Sequence, residues 1–197
     1  LKSEILKKGL FLQAFKRTRL LILCAIFTAL TALGGLFKIH LFLVPFTLQT
    51  FFVLLSGIVL GPYWGFTSQL IYLLVGLIGF PVFANGGGIV YIFQPTFGYL
   101  AGFPMAAFTV GFCLRRIEFA NNFRYWIRLV CCNFAGVLIV SITGILYLYF
   151  NLEYITKKPL PFEQIFWNGF LVFLPIDTIK VLLLTLLAHR ILKYKFY

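Results

Sequence analysis

Between Lys38 and Arg115 the chain reads IHLFLVPFTLQTFFVLLSGIVLGPYWGFTSQLIYLLVGLIGFPVFANGGGIVYIFQPTFGYLAGFPMAAFTVGFCL (residues 39–114), without one Asp, Glu, Lys or Arg. Soluble domains carry a charge at roughly one position in four, so no water-facing fold tolerates such a run. A bilayer interior, which penalises ionised side chains, selects for it. Outward from this stretch, the apolar run Leu20 to Phe37 precedes it, and Leu129 to Leu152 and Gln164 to His189 follow. The full 197 residues are 61% apolar, 19% aromatic and only 11% charged, which places the whole chain in the membrane class. The net charge of +12 does not point to nucleic acid, because the basic residues lie between apolar runs and not in one patch or stripe.

A helix needs about 20 apolar residues to cross the hydrocarbon core. Pro and Gly punctuate the central stretch at Val44-Pro45, at Gly61-Pro62 and through Pro81 to Pro95. These breaks predict six transmembrane helices in a single membrane domain, 1–197, at about 20–37, 46–60, 65–80, 96–114, 129–152 and 164–189. The class is an all-α integral membrane protein. The helices at 46–60 and 65–80 are short, so their ends are expected to continue as irregular backbone covered by protein. Leu20 to Phe37 follows a basic head, as in a signal peptide, but no small-residue cleavage site leads into a polar domain, so it reads as a retained span. Leu1 is not an initiator methionine, which leaves room for upstream residues.

Orientation follows from the Lys/Arg excess of cytoplasmic loops. With an inside N-terminus, the inner segments hold Lys2, Lys7, Lys8, Lys16, Arg17, Arg19, then Arg115, Arg116, Arg124, Arg128, then Arg190, Lys193 and Lys195. The outer loops hold Lys38, Lys157 and Lys158. Both termini are therefore expected in the cytoplasm, and the loop Ala84 to Pro95 outside. Cys24, Cys113, Cys131 and Cys132 fall near inner helix ends and read as reduced packing thiols without metal-ligand spacing. His40 and His189, at opposite ends of the membrane, read as interfacial.

Ionisable residues inside a span mark a functional site facing the bundle interior. Asp177 and Lys180 qualify, and their i,i+3 spacing puts them on one helical face. Pro175 removes a backbone donor just before them, so a locally opened helix stands beside two opposite charges. The plainer alternative is a pair that only neutralises itself, although buried pairs contribute little net stability. The second concentration is Asn85-Gly86-Gly87-Gly88 leading to Tyr91, where glycines permit close approaches and Asn85 and Tyr91 offer donors and acceptors. No Gly-Lys-Ser/Thr follows, so it is not a phosphate loop. It reads either as an ordinary turn or as a lid over an apolar pocket. Gln49 is a further polar candidate, equally explained by an interhelical hydrogen bond. Ala25 and Ala29, four apart, make a small-residue face at which another helix could dock.

Val44-Pro45-Phe46-Thr47-Leu48-Gln49-Thr50, Gly61-Pro62-Tyr63-Trp64-Gly65, Gly79-Phe80-Pro81-Val82-Phe83-Ala84 and Pro95-Thr96-Phe97-Gly98-Tyr99-Leu100-Ala101-Gly102-Phe103 resemble the BioY biotin-binding S components of energy-coupling factor transporters. Leu174-Pro175-Ile176-Asp177-Thr178-Ile179-Lys180 resembles the sixth-helix motif of that family. The resemblance implies a six-helix S-component fold in the cell membrane that captures biotin from outside and has no cofactor or metal. It also implies a lid before the fourth helix, a docking face at Ala25 and Ala29 for a transmembrane coupling protein, and two ATPase subunits that supply energy. The sequence departs from the family pattern at Gln94 and Phe97, where glycines are usual, and in the segment Ile39 to Phe42.

Biotin's ureido ring offers two N-H donors and a carbonyl, which a carboxylate such as Asp177 and an amide such as Asn85 can satisfy. Its valerate carboxylate wants a cation. Lys180 is available within the membrane, and whether it holds the valerate or orients Asp177 is left open by the sequence. An S component for thiamin or riboflavin would share the fold. An intramembrane enzyme would need an acid-base or metal group near Asp177, and that helix offers only the distant His189. A purely structural subunit is opposed by the cost of burying Asp177 and Lys180.

Overall fold

The computed structural model describes residues 2–41, 44–120 and 122–194, with side chains described from Gln13 onward apart from those of His40 and Leu41. Lys195, Phe42 and the side chains of Lys2, Lys7, Lys8 and His40 thus lie outside the described residues. The elements in chain order are α1 (Lys2–Leu36), β1 (Lys38–Leu41), β2 (Val44–Thr47), α2 (Gln49–Ile78), a 3₁₀ segment (Ile89–Phe93), α3 (Phe97–Ala101), α4 (Phe103–Arg115), α5 (Phe123–Phe150), a π turn (Asn151–Ile155), α6 (Phe162–Phe166), a second π turn (Trp167–Leu171) and α7 (Leu174–Lys193). Among the described residues, five helical stretches are long and apolar enough to cross a membrane: Gln13–Leu36, Gln49–Ile78, Phe97–Arg115, Phe123–Ile155 and Phe162–Lys193.

One of the five, α2, is folded back on itself. Gly61 has φ 78° and ψ −175°, outside the helical region, and Pro62 follows it. Residues 49–60 and 62–78 are therefore two arms of a tight hairpin, and the side chains prove it. Gln69 donates to the Ser56 hydroxyl at 3.1 Å, although a straight helix would hold residues thirteen apart about 20 Å from one another. A glycine at 61 is required because a Cβ there would take a left-handed φ and meet the Arg115 guanidinium. The break at Gly61-Pro62 is thus expressed, whereas the helix expected over 96–114 is interrupted at Gly102, the junction of α3 and α4, with proline in the first turn of α4.

Three boundaries depart from the sequence reading. Phe46 and Thr47, expected at a helix start, belong to β2, which pairs antiparallel with β1 as Lys38↔Thr47 and Ile39↔Phe46. Pro45 cannot donate a helical hydrogen bond and holds Val44 extended, so the helix waits until Gln49. The fold is consequently helical with one small two-stranded sheet, and not strictly all-α. Helix α5 starts at Phe123 and not near 129, because the Asn122 side chain accepts the Tyr125 N-H at 2.8 Å and caps it, while Arg124 and Arg128 stay exposed. The first helix runs for 35 residues from Lys2, about 52 Å, well beyond the roughly 30 Å hydrocarbon layer.

The core lies where α2, α4, α5 and α7 converge, around Leu54, Ile58, Tyr72, Ala106, Val110, Leu129 and Leu184. Buried polar groups join α1 to the hairpin: Thr31 donates to Gln69 at 3.2 Å and Thr28 to the Ser68 carbonyl at 2.9 Å. These bonds satisfy groups that have no water to turn to. His189 is half-buried among aromatic rings. It stacks on Trp126 at 4.5 Å between centroids and packs on Phe119 and Tyr125. The four cysteines are free thiols.

Candidate functional site

The membrane-embedded charges meet at the top of α7. Pro175 stands in the first turn of α7, and the π turn before it carries an i→i+5 bond from the Val172 N-H to the Trp167 carbonyl at 3.1 Å. The helix is therefore opened ahead of Asp177, as the proline predicts. Asp177 lies in the first turn of α7, where the helix end favours a negative charge. Lys180 donates to Asp177 Oδ1 at 2.9 Å and to the Thr47 carbonyl of β2 at 3.0 Å, and its Nζ sits 4.3 Å from the centre of the Phe46 ring. Lys180 is 5% exposed, so this is a desolvated ion pair with its contacts filled.

The pair opens into a cavity with about 70 Å³ of internal free space, bounded by Phe46, Thr47 and Gln49 on one side, Ala84 and Tyr91 above, Tyr99 and Phe103 across, and Ser141 on α5. That is small beside the roughly 300 Å³ from which ligand clefts usually start. Above the cavity, as its roof, β2 and the residues Ala84 and Tyr91 line it, and the last two bracket the glycine segment, whose own glycines do not. The backbone of that segment is docked: the Gly88 N-H donates to the Gly76 carbonyl at 2.7 Å, and Phe83 and Gly86 exchange hydrogen bonds across a tight turn. Gly87 lies so close to the end of α2 that a Cβ would overlap the Phe80 carbonyl. Beyond it, the Tyr147 hydroxyl and the Asn151 amide donate to the carbonyls of Ile92 and Phe93, the latter at 2.8 Å. The segment is tied to the body of the protein by these bonds and is not a loose turn.

Of the predicted residues, the structure brings Gln49, Tyr91, Asp177 and Lys180 together around one cavity. Asn85 stands exposed on the turn, and its neighbour Ala84 lines the pocket instead. Gln49, 2% exposed, receives the Thr47 hydroxyl at 3.2 Å and donates to the Tyr72 hydroxyl, which in turn donates to the Val82 carbonyl at 3.1 Å. Ala25 and Ala29 are exposed and line a separate apolar groove between α1 and the second arm of α2, together with Leu21, Ala32, Val75 and Val82. Sequence reasoning did not single out Tyr99, Ser141 or Phe103. Tyr99 is placed by contacts far along the chain that the sequence does not display: its ring lies where a side chain at Gly144 would be, and its hydroxyl donates to the Gly169 carbonyl at 2.9 Å. Among the described residues no three metal-ligating side chains gather.

The pattern that defines the BioY family matches residues 7–195, nearly the whole chain and every element of the pocket. The chain belongs to the BioY family. It is 41% identical over 173 residues to a protein named probable biotin transporter BioY from Lysinibacillus sphaericus, covering 88% of this chain and 86% of that one. It is 38% identical over 176 residues to the biotin transporter BioY of Thermotoga maritima, covering 89% and 96%. A solved structure described as the S-component for biotin from an ECF-type ABC transporter superposes with a TM-score of 0.76 at 27% identity, covering 90% of this chain and 93% of that one. The chain is accordingly a multi-pass membrane protein of the S-component type, a transporter component and not an enzyme.

Proposed function

We propose that this chain is the substrate-binding subunit of a biotin uptake transporter of the cell membrane, capturing biotin from outside. The observation that carries the reading is the buried Asp177–Lys180 pair opening into a pocket of aromatic and small polar side chains. Asp177 accepts from the ureido N-H groups, held in place by Lys180, while Tyr99 and Phe103 supply the apolar surface that a thioether ring requires. Gln49 and Tyr91 complete the polar set, Gly86, Gly87 and Gly88 form the lid that must lift, and Asn85, exposed on the turn in this structure, joins the site only through movement of that segment. The names of the relatives agree in biotin, which favours it over thiamin or riboflavin.

Six crossings fit the fold, since the hairpin of α2 divides one long apolar stretch into an inward and an outward arm. Both termini then lie in the cytoplasm, with Arg115, Arg116, Arg124 and Arg128 on the same side. The groove at Ala25 and Ala29 receives the transmembrane coupling protein, and two ATPase subunits complete the module. The decisive experiment is ligand binding by the purified protein. Radiolabelled biotin should bind in preference to thiamin, riboflavin and lipoate, and equal or better binding of any of those three would overturn the assignment.

A further inference from the structure

Among the described residues, two ammonium groups reach residues that line the pocket. Lys180 is already engaged by Asp177 Oδ1 at 2.9 Å, the Thr47 carbonyl at 3.0 Å and the Phe46 ring at 4.3 Å, the first of which neutralises its charge. A ligand carboxylate brought to it would have to displace Asp177 or add a second negative charge beside it, both costly in a desolvated site. The other cation is Lys38 on β1. It is exposed, it stands directly across the strand pair from the pocket-lining Thr47, and its ammonium donates to the carbonyl of pocket-lining Ala84. It therefore sits on the seam between the two halves of the roof, holding a neutral acceptor with one of its three donors.

Resting on the biotin reading above, we infer that Lys38 receives the carboxylate of the bound ligand's tail, while Lys180 only orients Asp177 for the ring at the other end. Exchanging a neutral carbonyl for a carboxylate strengthens the hydrogen bond by making both partners charged. The geometry also sets polarity: the polar ring points down to Asp177 and the anionic tail points up to the mouth, where water still solvates it. Burying that tail would need a deep free cation, and Lys180 is committed.

The test uses the full-length protein and two probes, biotin and its uncharged carboxamide. Lys38→Met should weaken biotin about fivefold, as fits an ion pair at a solvated rim, and leave the carboxamide unaffected. Lys38→Arg should restore biotin affinity, and added salt should weaken biotin binding by the parent but not by Lys38→Met. Lys180→Met should weaken both probes alike. The assignment is overturned if Lys38→Met leaves the biotin isotherm unchanged or weakens both probes equally, the second result making Lys38 a roof tie alone. It is also overturned if Lys180→Met spares the carboxamide. Should the folded parent bind neither probe, the biotin reading itself fails and Lys38 falls with it.

Discussion

The side-chain amide of Gln49 donates to the phenolic oxygen of Tyr72, twenty-three residues further along α2. The bond exists because α2 doubles back at Gly61, and it connects the linings of two separate cavities. Gln49 lines the ligand cavity, and Tyr72 lines the apolar groove beside Ala25 and Ala29. The Tyr72 hydroxyl then passes the connection to the Val82 carbonyl, two residues before pocket-lining Ala84.

Tyr72→Phe keeps the ring and removes this link. Gln49, already buried, is left with an unpaired amide, a loss of about 1 to 3 kcal/mol. The variant should melt at a lower temperature in detergent and release bound biotin faster than the parent. Unchanged melting and unchanged dissociation would show that the Gln49 to Val82 chain has no energetic weight.

Asp177→Asn and Lys180→Met each break a desolvated ion pair, which typically costs about 2 to 5 kcal/mol. Biotin affinity should fall by roughly 30-fold to several thousand-fold. Lys180→Met should also reduce the yield of folded protein more than Asp177→Asn does, because it strands a carboxylate without its cation. Isotherms that overlay the parent for both variants would make the pair purely structural.

Gly87→Ala probes the docked lid. The added methyl overlaps the Phe80 carbonyl, a backbone atom that cannot swing away, so the segment must lift from the end of α2. Biotin should dissociate at least several-fold faster, with little change in melting temperature, since the segment covers the pocket and not the core. Dissociation at the parental rate would show that the segment is not a lid.

Ala29→Trp fills the groove between α1 and the second arm of α2 from its exposed side. Energised uptake in cells should be abolished while biotin binding by the purified protein is nearly unchanged. Equal loss of both would assign the groove to folding and not to docking.

Membrane orientation is checked in a cysteine-free background. Lys157→Cys should react with an impermeant thiol reagent from outside, and Arg116→Cys only after permeabilisation. The reverse pattern would place the pocket on the cytoplasmic side.

Hydropathy and proline placement determined much of this protein without any structure. The charge-free stretch, the break at Gly61-Pro62, and the isolation of Asp177 and Lys180 in an apolar helix are local properties of the chain, so they could be read along it. The family motifs were legible for the same reason. Tertiary structure decided everything that depends on which residues face each other. Asn85 and Ala84 differ by one position, and only the tight turn between Phe83 and Gly86 determines that Ala84 faces the cavity. Lys38 reads in sequence as one more outer-loop charge, yet strand pairing opposite Thr47 carries it onto the pocket roof. Gln49 had two equal readings until the α2 hairpin placed Tyr72 beside it. A bilayer selects side chains by how well they dissolve in it, which is a one-residue property. A binding site is selected by contacts between residues dozens of positions apart, and those exist only after the helices have packed.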